Sequence, residues 1–120
     1  MTQSGRQVNA SAMRFGLLAC ALLAFSQASQ AETVTVKYRG EVDLAHFSCQ
    51  STSSSLVQRV CYDAANSYML ISLKGTYYHY CGIDPDTVHQ LLMAPSLGHY
   101  YNASIKGRFD CRLNYVPAYE

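Results

Sequence analysis

The chain contains no tryptophan, only three prolines, and charged side chains on just 14% of its 120 residues. With tryptophan absent, the bulk of any core must come from aliphatic residues and from the ten tyrosines and four phenylalanines. A spanning helix needs about 20 apolar residues, and the longest apolar run, "FGLLACALLAF" at Phe15–Phe25, is too short. No C-x-x-C pair occurs, and no two histidines lie three to five residues apart, so the usual zinc spacings are missing. There is no Gly-rich phosphate loop, no G-x-S-x-G elbow, no paired-carboxylate signature and no internal repeat. Neither a metal nor another cofactor is expected, and no catalysis. A basic excess is also lacking. Beyond residue 31 the chain carries seven Lys and Arg against eight Asp and Glu, which argues against a general nucleic-acid binder.

What is present begins with a processing signal. Met13-Arg14 precede the apolar run, and "SQASQA" follows it, with Ser29 and Ala31 as the small residues of a cleavage site. A basic start, a short apolar core and a small-x-small exit describe a secretory signal peptide over residues 1–31. Met13 is a possible true start, because residues 1–12 are polar and add nothing to a signal. The mature chain would run from Glu32 to Glu120, in the periplasm or secreted, with no membrane span. Cys20 leaves with the signal. Cys49, Cys61, Cys81 and Cys111 remain, and an even count in a short exported chain reads as a disulfide framework. Four cysteines permit three pairings. We lean to Cys49–Cys111 with Cys61–Cys81, although the second pair would have to reach across an intervening strand, about 9–10 Å, where a disulfide needs Cα atoms within about 7 Å.

The periodicity predicts strands first and helices after. "TVTVKYRG", Thr33 to Gly40, alternates Val34, Val36 and Tyr38 as a buried face. Glu41 to Phe47 is ambiguous, and the Ser-rich "CQSTSSS", Cys49 to Ser55, reads as a loop. Leu56–Asp63, Tyr68–Gly75 and "TYYHYC" at Thr76–Cys81 are strands with short connections, hence an antiparallel meander. Asp84 can cap a helix opened by Pro85, with Val88, Leu91 and Leu92 as its apolar stripe; Pro95 ends it. Ser96 can cap a second helix carrying Leu97, Tyr101 and Ile105, with Gly107 beyond its end. The expected fold is α+β, a small antiparallel meander with two short C-terminal helices packed on one face. Its organisation is an N-terminal strand and Ser-rich loop over 32–53, a domain over 54–112 and a tail over 113–120.

The pieces "SS" at Ser54-Ser55, "YD" at Tyr62-Asp63, Tyr78 and Tyr80, and "IDPDTVHQLLMAPSLGHYYNASIKGRF" stand in an order that resembles the KTSC domain. That short domain is named for its place at the C-terminus of some lysyl-tRNA synthetases. The resemblance runs from Ser54 to about Phe109. It implies a strands-then-helices layout and no established activity, with RNA binding as the family's default suggestion. Cys61 stands where many members have glycine, and the four cysteines and the signal are additions.

Two stretches are candidate sites. Alternation puts Tyr78 and Tyr80 on one face of their strand, and Tyr77, His79 and Cys81 on the other. The first pair is either a stacking platform or aromatic cover for the sheet. We expect cover, with Tyr77 and His79 facing outward. Cys81 beside His79 would be a nucleophile only as a free thiolate, and the even cysteine count argues for a disulfide instead. The second stretch is "SLGHYYN": Ser96, Tyr100 and Asn102 with Lys106, Arg108 and Arg112 could form a polar, basic rim. The functional expectation is an exported, disulfide-stabilised module that binds a protein, glycan or peptide of the cell envelope. The alternatives are an RNA-binding module and a small envelope hydrolase or inhibitor-like factor. N-terminal sequencing of the exported protein should read from Glu32 with no lipid. A chain beginning at a lipid-modified Cys20 would overturn the processing expectation.

Overall fold

Tyr68, Met69, Leu70 and Ile71 are consecutive and have no solvent exposure. Successive side chains on a strand point to opposite faces, so a strand buried this way needs a covering layer on each side. The computed structural model describes residues 31–119. The strands are β1 (Thr33–Val36), β2 (Gly40–Asp43), β3 (Ser48–Ser51), β4 (Val57–Asp63), β5 (Tyr68–Leu73) and β6 (Thr76–Cys81). The helices are α1 (Pro85–Met93) and α2 (Leu97–Tyr100), which runs on into a wide turn at Tyr101–Ile105. The sequence expectation for residues 1–30, including the body of the signal peptide, lies outside the described residues.

The strands form one sheet in the order β2-β1-β6-β5-β4-β3. β3 to β6 make the expected meander, each antiparallel to the next. The sheet as a whole is mixed, because β1 lies parallel to β6 through the single register pair Val36–Tyr77. The expectation of a purely antiparallel sheet is corrected there. Thr33 to Gly40 is not one strand. It ends at Val36, turns through Tyr38 in a left-handed conformation (φ 70°), and returns as β2. Tyr38 is therefore 86% exposed rather than buried. Cys49 to Ser55 is not all loop either, since its first residues belong to β3.

The β5–β6 hairpin shows why register is secure. Lys74 (φ 50°) and Gly75 (φ 89°) both take positive φ, the two-residue turn that matches strand twist. It aligns Ile71 with Tyr78 and Met69 with Tyr80. These four share a face with Val57 and Val60, and Val88, Leu91, Tyr101 and Ile105 close it from the helices. The helix ends follow local chemistry: Asp84 Oδ2 accepts from the Thr87 N–H at 3.1 Å, and Ser96 Oγ from the His99 N–H at 3.2 Å.

The opposite face was expected to be open, and it is covered. Val36, Val42, Leu44, Cys61, Tyr68, Leu70 and Cys81 form a second buried cluster, flanked by Phe47, Tyr77 and Tyr119. The β1–β2 hairpin and the C-terminal tail supply this layer. Tyr119 donates to Asp63 Oδ2 at 2.6 Å and stacks on His46, and Arg39 holds the Pro117 carbonyl at 2.8 Å.

The cysteines pair as Cys49–Cys61 and Cys81–Cys111, with Cα separations of 4.0 and 4.8 Å. This corrects the pairing of Cys49 with Cys111 and Cys61 with Cys81. β5 separates Cys61 from Cys81, whereas Cys49 stands directly across from Cys61 on the neighbouring strand. Closing loops of these lengths stabilises the fold by about 3 kcal/mol and about 3.5 kcal/mol in the chain-entropy model. Proteolytic mapping without reduction should recover the Cys49–Cys61 and Cys81–Cys111 peptides and no free thiol at either pair. Recovery of a Cys49–Cys111 link would refute this pairing.

Candidate functional site

β6 is an interior strand with an incompletely covered edge. Leu73–Thr76 closes the two-residue turn and is therefore a hydrogen-bonded pair, as are Ile71–Tyr78 and Met69–Tyr80. The main-chain groups of Tyr77, His79 and Cys81 consequently point away from β5. Two of the three have partners there. The Lys37 N–H donates to the Tyr77 carbonyl at 2.8 Å, and the Cys81 N–H donates to the Phe109 carbonyl at 2.8 Å. At His79, between them, β1 has already turned away.

A cleft of about 640 Å³ opens at this place. One wall is the turn at Lys37 and Tyr38; the other is the segment Gly107 to Arg112; Tyr78, His79 and Tyr80 form the floor. Side chains of consecutive strand residues face opposite ways. A single cleft that touches all three residues of the floor must lie along the edge of the strand. The volume falls within the roughly 300–1,000 Å³ of ligand pockets.

Both walls are fixed to β6. The second is held by the Cys81–Cys111 disulfide and shaped by an Asp110 turn, whose Oδ1 accepts from the Arg112 N–H at 2.8 Å. Asp110 also pairs with the Arg112 guanidinium at 2.7 Å, and this hydrogen bonding holds its carboxyl at about 2. Asp110 is thus largely neutralised by Arg112. Lys37 and Arg108 are exposed and have no acidic partner among the described residues. The Lys37 ammonium lies 5.5 Å from the Tyr38 ring centroid and 6.0 Å from that of Tyr78. Cation–π attraction thus favours charge between two aromatic walls.

Beneath the floor is a polar network. Arg39 Nη1 donates to the Tyr68 hydroxyl at 2.9 Å, and that hydroxyl lies 2.8 Å from His79 Nδ1. Arginine can only donate. The Tyr68 hydroxyl therefore accepts from Arg39 and shares a second hydrogen bond with His79 Nδ1, so a single phenol joins the two side chains. Burial lowers the His79 pKa below its ordinary value, the Arg39 charge lowers it further, and Asp110 opposes both.

The structure brings five expected residues to the cleft: Tyr78, His79, Tyr80, Arg108 and Arg112. Tyr78 and Tyr80 pack toward the helices as expected. Tyr80 is buried, its hydroxyl 2.5 Å from that of Tyr101, while Tyr78 is half-buried. The outward placement of Tyr77 and His79 is corrected: both are half-buried against the second layer. The Tyr77 hydroxyl accepts from Arg59 at 3.2 Å, and Arg59 also grips Glu32 at 2.6 Å. Ser96 is a helix cap, Tyr100 packs on the helix-side core, and Asn102 and Lys106 are exposed. None of these four lines the cleft. Sequence reasoning missed Lys37, Tyr38, Phe109 and Asp110. The signal for the first two was "YRG", a turn ending in glycine that had been read as strand.

The middle of the chain is similar to known proteins. The family model described as KTSC domain matches residues 53–109. Among solved structures, the crystal structure of a KTSC domain protein from Yersinia pestis is 28% identical with a TM-score of 0.51, covering 53% of this chain and 92% of that one. No curated protein matches.

The His79 environment makes a pH prediction. Its folded pKa is depressed, so the unfolded chain binds more protons just below the ordinary imidazole value of about 6.5. Its contribution to stability is complete above that value and falls as pH drops through it toward the folded pKa. Denaturant midpoints measured between about pH 7.5 and about pH 5 should decline, and His79→Gln should flatten that decline. Equal slopes in the two proteins would show that His79 is not the titrating group.

Proposed function

The chain carries a KTSC domain over residues 53–109, and from this premise we propose that it is an exported binding module whose ligand occupies the cleft at the β6 edge. One observation carries the reading: aromatic rings and two cations without an acidic partner among the described residues surround a strand edge whose walls are covalently and hydrogen-bond anchored. A concave site with a few convergent polar groups is the usual form of a ligand site. The carboxylate and the imidazole of the cleft are engaged in its construction. Asp110 shapes the wall and neutralises Arg112, and His79 Nδ1 is taken by Tyr68.

Export is supported by two disulfides in a small domain, since such bonds persist in oxidising compartments. It is also supported by the position of β1, which begins at Thr33. Cleavage after Ala31 would leave every described strand intact, together with the Glu32–Arg59 pair. The ligand would then be a component of the cell envelope or its exterior.

RNA is the second reading, favoured by the mixture of aromatic rings and cations in the cleft. Lys37, Arg108 and Arg112 could neutralise at most three phosphates, giving log K a salt slope of about −2 for a single strand.

The test is an amide-shift map by NMR on the oxidised protein, with a hexapeptide pool, an envelope-type amino-sugar oligosaccharide and a single-stranded RNA oligomer as separate probes. At least one probe should shift Lys37, Tyr38, Tyr78 and Phe109 together, and Lys37→Ala/Arg108→Ala should weaken that probe by at least about tenfold, the scale of 1.4 kcal/mol. Binding that maps instead to the Ser96–Asn102 surface would overturn the assignment of the cleft.

A further inference from the structure

The chemistry of the cleft narrows its ligand. β6 offers three outward main-chain positions along one edge, and its own chain occupies the outer two. Tyr77 is taken by Lys37 and Cys81 by Phe109. His79 lies between, with one N–H and one C=O directed at the cleft by the hairpin register. No main-chain partner for His79 on that side occurs among the described residues. The flanking contacts, at the Tyr77 carbonyl and the Cys81 N–H, are about 10 Å apart along the strand, three intervening residues at about 3.3 Å each. A short extended segment fits that interval, and its natural partner is the open donor–acceptor pair at its centre.

We infer that the cleft binds an extended peptide that carries a carboxylate, pairing one of its residues with the His79 main chain as a short added strand. This rests on the cleft being the ligand site. Pairing of a guest strand with a sheet edge gives main-chain bonds without sequence demand, and adjacent pockets give the specificity. Here the adjacent groups select an acid. Lys37 and Arg108 line the cleft without acidic partners among the described residues, while the one described carboxylate in the wall, Asp110, is held by Arg112. Tyr38, exposed and in a left-handed conformation, stands beside Lys37 as an aromatic wall for the guest's side chain. The acid is either an Asp or Glu side chain or the peptide's own C-terminus.

The walls are set before any guest arrives. The Lys37 side is fixed by its hydrogen bond to Tyr77 and by the Arg39 N–H donating to the Val36 carbonyl at 3.0 Å. The Phe109 side is fixed by the disulfide. Preorganised walls reduce the ordering cost of binding. A gap of a single residue also explains how the exposed edge avoids open-ended pairing with other chains, because both neighbours block extension.

The experiment is affinity selection from a random hexapeptide library with free C-termini, run in parallel on the oxidised full chain and on Lys37→Ala/Arg108→Ala, whose fold is checked by its amide spectrum. Peptides should be retained by the first protein and depleted at least tenfold on the second. For the best peptide, amidating the C-terminus and replacing Asp or Glu by Asn or Gln, in separate arms, should show which carboxylate matters through a tenfold or greater loss. N-methylation should cost at least tenfold at one position only. The His79 amide should exchange at least tenfold more slowly in the complex. Three results would overturn the inference: no peptide retained above the variant, a flat N-methyl scan, or an unchanged His79 amide. An oligosaccharide or RNA that shifts the cleft residues while no peptide does would refute the peptide and leave the cleft as the ligand site. Shifts confined to other surfaces would refute both.

Discussion

The burial of β5 on both faces is the constraint from which the architecture follows. Fully burying a large apolar side chain contributes about 1.5–3 kcal/mol, so Tyr68, Met69, Leu70 and Ile71 together are worth on the order of 10 kcal/mol. That matches the whole net stability of a domain this size, about 5–15 kcal/mol. Neither covering layer is dispensable. Met69 and Ile71 require the helices, and Tyr68 and Leu70 require the β1–β2 hairpin and the tail. Tyr68 also imposes a polar demand, because a hydroxyl on a fully buried ring needs partners. Arg39 and His79 meet it, and Arg39 in turn binds the Pro117 carbonyl and lies over the rings of Tyr68 and Tyr119. A single buried phenol thus ties hairpin, sheet and tail together.

What could be read from sequence follows the range of the interactions. The meander, the Lys74-Gly75 turn, both helix caps and the stop at Pro95 depend on residues within a few positions of one another, and they appear where the local chemistry puts them. The inward face of Tyr78 and Tyr80 follows from alternation against Met69 and Ile71. The second layer depends on contacts between Arg39 and Pro117 and between Asp63 and Tyr119, too distant in sequence for any local pattern to register. One local sign was present. "YMLI" is continuous rather than alternating, which is the mark of a strand buried on both sides. Treating only Met69, Ile71 and Leu73 as inward left the opposite face bare on paper, and so placed Tyr77 and His79 in solvent. The disulfides were misassigned for a related reason. Once Cys49 is given to a loop, its cross-strand position opposite Cys61 is invisible.

The cleft was half legible. Tyr78, His79, Tyr80, Arg108 and Arg112 were singled out because aromatic, imidazole and guanidinium groups are what binding surfaces use. Lys37 and Tyr38 reach the same place only through the parallel contact of β1 with β6, and a parallel pairing over forty residues of sequence leaves no short-range signature. Ser96 and Asn102 lie away from the cleft: Ser96 caps a helix, as polar groups near a helix start commonly do, and Asn102 is exposed.

The boundary of the family match gives the arrangement a further meaning. Residues 53–109 contain Cys61 and Cys81, while their partners Cys49 and Cys111 lie just outside on either side. Each disulfide therefore fastens a flanking segment to the part of the chain that matches the KTSC domain model. The cleft straddles the same boundary: Tyr78 to Tyr80 and Gly107 to Phe109 come from the core, whereas Lys37, Tyr38, Asp110 and Arg112 come from the flanks. Two of its three cations are thus outside the shared segment. Under the proposed reading, ligand preference in this chain would depend on the flanking segments, which the disulfides tie to the matched core beside the β6 edge. A cross-link that only stabilised could sit anywhere in the fold. Cys81–Cys111 closes at the end of the strand that forms the floor, where it sets the position of the wall as well as the stability of the domain.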